Sequence, residues 1–184
     1  MHPEVLVPIA DGSEELEAVT IIDVLRRAGA HVSVASTAPA GRLEVTASRG
    51  VKLLADKHIS DCRNEVFDLI VLPGGMPGAE HLRDSAPLTA LLKGQFAQGK
   101  AYAAICAAPQ VVLAHHGMLA DKQATGHPGF QNELPQLKND QRVVIDGNVI
   151  TSQGPGTALE FSLALVEFLY DADKREFVAE PMVL

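Results

Sequence analysis

Residues 101–109 read Ala101-Tyr102-Ala103-Ala104-Ile105-Cys106-Ala107-Ala108-Pro109, an apolar run that stops at a cysteine and passes at once into a helix-like stretch. A strand that turns abruptly into a helix lifts the residue at the turn clear of the sheet and sets its side chain beside the unpaired amides of the helix start. Small residues at 103, 104, 107 and 108 suit so tight an elbow. The amides and the helix dipole favour thiolate over thiol, and such surroundings lower a cysteine pKa from about 8.5 into the range of roughly 3.5 to 7.5. Cys106 therefore reads as a presented nucleophile. The alternative is a buried, inert cysteine in a core strand.

Outward from the elbow, short apolar runs alternate with amphipathic segments, the pattern of strands that cross over through helices. Strands are expected near 4–9, 31–36, 43–47, 51–54, 67–72, 101–105, 142–146 and 148–152, and helices near 13–28, 86–98, 107–116 and 156–170. Parallel strands buried on both faces are continuously apolar, and Phe67 to Leu72 and Ala101 to Ile105 largely are, so they form the expected sheet centre. Val143 to Ile145 and Val149-Ile150, joined by Asp146-Gly147-Asn148, read as a tight peripheral hairpin. Pro8 has no N–H for a ladder and marks where the first strand stops pairing. The fold class is α/β, a flavodoxin-like doubly wound sandwich with a mostly parallel sheet, expected as one domain over 1–184.

Composition excludes several functions. The formal net charge is −8, there is no Trp, and aromatic residues are 4% of 184, so neither a basic footprint nor a stacking surface for nucleic acid is present. No basic leader precedes the first strand, and no run approaches the roughly 18 apolar residues of a membrane span, so the expected location is cytoplasmic. Two cysteines without paired-ligand spacing point to neither a disulfide framework nor a structural metal site. Cys62, in the polar stretch Ser60-Asp61-Cys62-Arg63-Asn64, carries no expected role.

In a doubly wound sheet, reactive groups collect beyond the carboxyl ends of the strands. After the first strand comes Asp11-Gly12-Ser13-Glu14-Glu15-Leu16-Glu17. At about 100° per residue, Ala18, Ile21, Val24, Leu25 and Ala28 share one arc, and Glu14 and Glu17 fall inside it. Glu14, three residues after Asp11, suits a capping box. Glu17 has no such role; a carboxyl on a buried helix face has its pKa raised and can move a proton to or from a thiol, unless it is paired with a buried Arg or amide. Gly74 and Gly75 follow the most apolar strand, where their amides, with that of Ala107, form an oxyanion hole or merely an ordinary turn. His127, in Thr125-Gly126-His127-Pro128, reads as a base or substrate contact, or else as a solvated loop histidine. Ser152-Gln153-Gly154-Pro155-Gly156-Thr157 leads into the last long helix and closes the pocket rim.

With Gly12-Ser13-Glu14-Glu15-Leu16-Glu17, Val71-Leu72-Pro73-Gly74-Gly75, Ala104-Ile105-Cys106-Ala107-Ala108-Pro109 and Thr151 to Thr157 assembled, the chain resembles the ThiJ/PfpI superfamily, in the branch of the Parkinsonism-associated deglycase and its bacterial relatives. The resemblance implies a homodimer and a cofactor-free, metal-free site. Cys106 would be the oxidisable nucleophile, Glu17 the protonated acid beside it, Gly75 and Ala107 the oxyanion amides with Gly74 adjoining them, and His127 the base or substrate contact. Arg27 and Arg49 match basic positions that line an anion-binding spot. The implied substrates are methylglyoxal and glyoxal, converted to lactate and glycolate, or early glycation adducts on proteins.

The resemblance also carries redox sensing through sulfinic acid and holdase chaperoning as alternatives to catalysis. An amidase or peptidase is disfavoured, because the peptidase-like members carry His directly after the nucleophile and here Ala107 stands there. Glutamine amidotransferases need a downstream His-x-Glu, which is absent after Cys106. Gln153, where human-type members place arginine, points to the bacterial side of the branch.

Overall fold

The computed structural model describes residues 2–184. In chain order the elements are β1 (Glu4–Ile9), α1 (Glu15–Arg27), β2 (His31–Ser36), β3 (Glu44–Thr46), β4 (Lys52–Leu54), β5 (Lys57–His58), β6 (Leu69–Leu72), α2 (Gly78–Asp84), α3 (Ala86–Ala97), β7 (Ala101–Ile105), β8 (Gln123–Ala124), β9 (Gln136–Leu137), β10 (Val143–Asp146), β11 (Val149–Ser152), α4 (Ala158–Leu169) and α5 (Ala172–Ala179). Seven strands form one sheet in the order β10-β11-β7-β6-β1-β2-β5. Every pairing in it is parallel except β10 with β11. Each residue of β6 and β7 is buried, as their unbroken apolar sequences require of central strands. The β10–β11 hairpin closes through Gly147 at φ +61, the conformation a two-residue turn of this type demands of its first residue.

The chain leaves β1 through α1 toward β2, and leaves β6 through α2 and α3 toward β7 in the opposite direction across the sheet. Both crossovers being right-handed, the helices fall on opposite faces and the carboxyl ends of β1 and β6 diverge into a crevice. The segments 10–17 and 73–76 line that crevice, with the end of β7 next to it.

Several expectations are corrected by tertiary contacts. The strands expected at 43–47 and 51–54 do form, and they pair with each other as a separate β3–β4 hairpin outside the main sheet. The strand expected from Phe67 starts at Leu69, because the Asp68 carboxylate accepts the Glu4 amide at 2.8 Å and serves as an edge cap instead. No capping box forms at α1: Asp11 is taken by the Thr46 amide and by Arg42, while Glu14 turns to Ser48. Pro8 stays in register with Ala35 of β2, whereas pairing to β6 covers Val5 and Leu6 alone, so the missing N–H limits one side of the strand. The helix expected over 107–116 is wound as a π-helix at Pro109–Ala114, with His115 donating five residues back to Gln110. Two helices lack a clear sequence period: α2, opened by Gly78, and α5, whose start is nonetheless marked by Asp171 accepting the Lys174 amide at 2.8 Å. Cys62, despite its polar neighbours, is completely buried in the core.

Candidate active site

The site is built where β7 ends. Cys106 has φ +65, a left-handed conformation that costs a non-glycine residue on the order of 1 kcal/mol or more and is sustained only by surrounding contacts. Those contacts grip its backbone: the Cys106 amide donates to the Ser152 carbonyl at 3.0 Å, and its carbonyl accepts from the His127 amide at 2.8 Å. The side chain is thereby turned into the crevice, 9% exposed. The amides of Gly75 and Ala107 lie near its sulfur and favour its ionised form.

Glycine is required at 74 and 75. A Cβ on Gly74 would lie 2.6 Å from the Cys106 Cβ. Gly75 has φ +86, and a Cβ there would collide with the backbone of Gly12 and Glu14. Bare backbone at these two positions lets the loop after β6 touch both the cysteine and the start of α1. The Gly74 carbonyl accepts the Glu14 amide at 2.9 Å, which fixes the opening of α1 against this loop.

Glu17 is wholly buried. Its Oε2 accepts the Gly74 amide at 2.8 Å, and its Oε1 is buried without a conventional partner while the carboxyl interacts with the Cys106 thiol. Burial pushes this carboxyl up from 4.5 to about 7, against the opposing pull of the Gly74 amide and the thiol. Burial also pushes the Cys106 thiol up, to about 12, with the negative charge of Glu17 adding to it and the Gly75 and Ala107 amides opposing it. The low thiol pKa expected of the elbow is therefore not what the ionised Glu17 permits, since burial and a neighbouring carboxylate outweigh two amides.

Moving the proton onto Glu17 removes the repelling charge and turns the acid into a third donor toward sulfur. Above about 7 the two groups hold one proton between them, and a thiolate forms in that state only with the proton on Glu17.

The remaining expected site residues are placed unevenly. His127 comes to the cysteine through its backbone. Its ring is half-buried beside Gly154, and Nδ1 accepts the Gly129 amide at 3.0 Å. A neutral imidazole accepting there carries its proton on Nε2, which makes it a donor in this arrangement. Arg27 stands about 15 Å along α1 from Glu17 at the usual helical rise and pairs with Asp23 at 2.8 Å. Arg49, exposed on the β3–β4 turn, gives its backbone amide to Glu15 at 2.8 Å. Within one chain, neither arginine joins the cysteine.

Sequence reading missed Ser48, whose hydroxyl reaches Glu14 at 2.6 Å and Glu15 at 2.9 Å, and Gln131, which donates to the Gly126 carbonyl at 2.7 Å. Both hold walls of the crevice through partners that no local pattern announces. Among the described residues, no group of three or more His, Cys, Asp or Glu side chains is arranged to hold a metal ion, and no helix is long and apolar enough to cross a membrane.

The family model described as the DJ-1/PfpI family matches residues 3–168. "Protein DJ-1 homolog B" of Arabidopsis thaliana is 52% identical over 173 residues, covering 94% of this chain and 39% of that protein. The chain thus spans less than half the length of that relative. "Glutathione-independent glyoxalase DJR-1.2" of Caenorhabditis elegans is 38% identical, covering 98% of this chain and 95% of that protein. Among solved structures, "Toxoplasma gondii DJ-1, oxidized" superposes with a TM-score of 0.95 at 49% identity, covering 98% of both chains.

Proposed function

The chain belongs to the DJ-1/PfpI family, and on that premise we propose that it is a cysteine-dependent, cofactor-free glyoxalase and deglycase acting on methylglyoxal, glyoxal or their early adducts on proteins. The observation that carries this reading is the buried Glu17, raised to about 7 and held by the Gly74 amide in the loop that packs on Cys106. The C. elegans relative named as a glutathione-independent glyoxalase supports the substrate class.

In this reading each residue has a step. With the proton on Glu17, the Cys106 thiolate adds to the aldehyde carbon of methylglyoxal, forming a C–S bond as the carbonyl π pair moves to oxygen. Glu17 supplies the proton that oxygen takes up and is left ionised, while His127 Nε2 can hydrogen-bond the same oxygen. The Gly75 and Ala107 amides, near the sulfur, are the donors available to the oxyanion that forms beside it and stabilise it. The ionised Glu17 then removes the proton from the former aldehyde carbon and returns it to the neighbouring ketone carbon, the hydroxyl proton passing to the ketone oxygen, which leaves the thioester of lactate. Water cleaves the thioester, releasing lactate and restoring the thiol. One water is consumed and no net oxidation occurs, so the sequence runs without an electron carrier. An early adduct between an aldehyde and a protein amine or thiol presents the same carbon to the same sulfur.

Two further readings accompany this one. Both cysteines are free, which suits a reducing cytoplasm. Leu16 and Val19 on α1 are about half exposed, as is Val51 on the β3–β4 hairpin that Glu15 ties to α1 through the Arg49 and Val51 amides. A second copy of the chain covering this face makes a homodimer, and Leu16→Glu is expected to yield monomers by light scattering.

The direct test of the catalytic reading is lactate formation from methylglyoxal by the wild type and by Cys106→Ala. Loss of lactate in a folded Cys106→Ala protein is expected; undiminished turnover would end the proposal.

A further inference from the structure

At the edge of the sheet opposite Cys106, where β6 and β7 begin, α3 and the segment before β6 enclose a cavity of about 450 Å³. That volume lies within the roughly 300–1,000 Å³ of small-molecule sites. Its room comes from α3, which presents Ala90 and Gly94 one turn apart where larger side chains would fill the space. Phe67, Ile70 and Leu91 supply an apolar wall, and Val66 stays 69% exposed at the mouth. The floor's polar groups are already paired: Gln95 Nε2 donates to the Phe67 carbonyl at 3.3 Å and to the Ala101 carbonyl at 2.9 Å.

The charge at the rim is one-sided. Glu65 is neutralised by Lys57 at 2.8 Å. Arg63 and Lys100 line the same cavity, and among the described residues neither forms an ion pair, Lys100 reaching only the Phe67 carbonyl at 3.1 Å. Two cations without a carboxylate partner at the rim of one apolar cavity, in a chain of formal net charge −8, suit a ligand that is both anionic and apolar. A polyphosphate or sugar would leave the apolar wall unused, and a neutral hydrocarbon would leave the cations unused.

We propose that this cavity binds a medium-chain carboxylate, its alkyl chain along α3 over Leu91 and Ile70 and its head group between Arg63 and Lys100. The site is independent of the cysteine chemistry.

Amide chemical-shift mapping of the intact protein with hexanoate, octanoate, decanoate and decanol tests this. Decanoate is expected to shift amides in 63–70 and 86–100 saturably, with affinity rising about two- to fourfold per added methylene. Arg63→Gln, at an exposed position, and Lys100→Gln are each expected to weaken decanoate about three- to tenfold while leaving decanol unchanged. Ala90→Phe, also exposed, is expected to abolish both. Absence of saturable decanoate binding below its micelle threshold, shifts centred on 74–76 and 105–107, or undiminished binding by Ala90→Phe would each overturn the proposal.

Discussion

The backbone amide of Gly74 donates to Glu17 Oε2 at 2.8 Å across 57 residues of sequence. This single bond holds one carboxylate oxygen in place and leaves the other for the Cys106 sulfur. The acid sits on the opening turn of one helix and the nucleophile on the elbow of a different strand. Their meeting depends on two glycines that keep the loop between them free of side chains.

That arrangement costs stability in a pH-dependent way. Burial raises Glu17 from 4.5 to about 7, so the folded protein holds this proton more tightly than the unfolded chain does. Stability is full below the unfolded value and is lost as pH rises toward 7, by on the order of 3 kcal/mol at 1.36 kcal/mol per pH unit. Glu17→Gln keeps an acceptor for the Gly74 amide without the charge. Urea melts are expected to show it stabilised by up to about 3 kcal/mol near pH 8, with little difference near pH 4.

The two thiols differ in access. Both are pushed up by burial, but Cys62 is sealed in the core whereas Cys106 faces the crevice, and there the proton can pass to Glu17. Limiting iodoacetamide at neutral pH is expected to modify Cys106 and spare Cys62, read by mass spectrometry of the peptides. Comparable labelling of both would contradict this.

Gly75 and Gly50 form a matched pair, with φ +86 and +88. Alanine at 50 meets no atom within 4 Å, so Gly50→Ala is expected to cost about 1 kcal/mol of backbone strain and leave turnover unchanged. Gly75→Ala drives a methyl into the backbone of Gly12 and Glu14. Its melting temperature is expected to fall further, and methylglyoxal turnover at least tenfold, because the amide aimed at sulfur moves.

Ser48 joins the hairpin to two acids at once, at 2.6 Å to Glu14 and 2.9 Å to Glu15. Ser48→Ala leaves two neighbouring carboxylates with fewer donors and is expected to cost about 1–3 kcal/mol. Hydrogen exchange over 44–54 is expected to quicken while the amides of β6 and β7 stay protected.

Much of this design is readable in the chain because it is local. Unbroken apolar runs at 69–72 and 101–105 announce central strands, and a cysteine followed by Ala107-Ala108-Pro109 announces an elbow. Glu17 shows itself by lying on an apolar arc where a charge does not belong. What stays hidden is long-range. Ser48 meets Glu14 and Glu15 from 34 and 33 residues away, and nothing near Cys62 signals that its polar neighbours cover a core position. The sign of the Cys106 shift was also out of reach, since helix-start amides are a local feature whereas burial and the charge of Glu17 arise only on folding. Arg27 shares a helix with Glu17, but helical rise carries it to the far end.

The central claim, that Glu17 and Cys106 share one proton above about 7, is tested most directly by the pH dependence of Cys106 alkylation in wild type and Glu17→Gln. The account predicts a wild-type rate that climbs through about 7, where the pair loses its first proton, and a step that disappears from this position in Glu17→Gln. A single ionisation near the ordinary cysteine value of about 8.5, the same in both proteins, would contradict it.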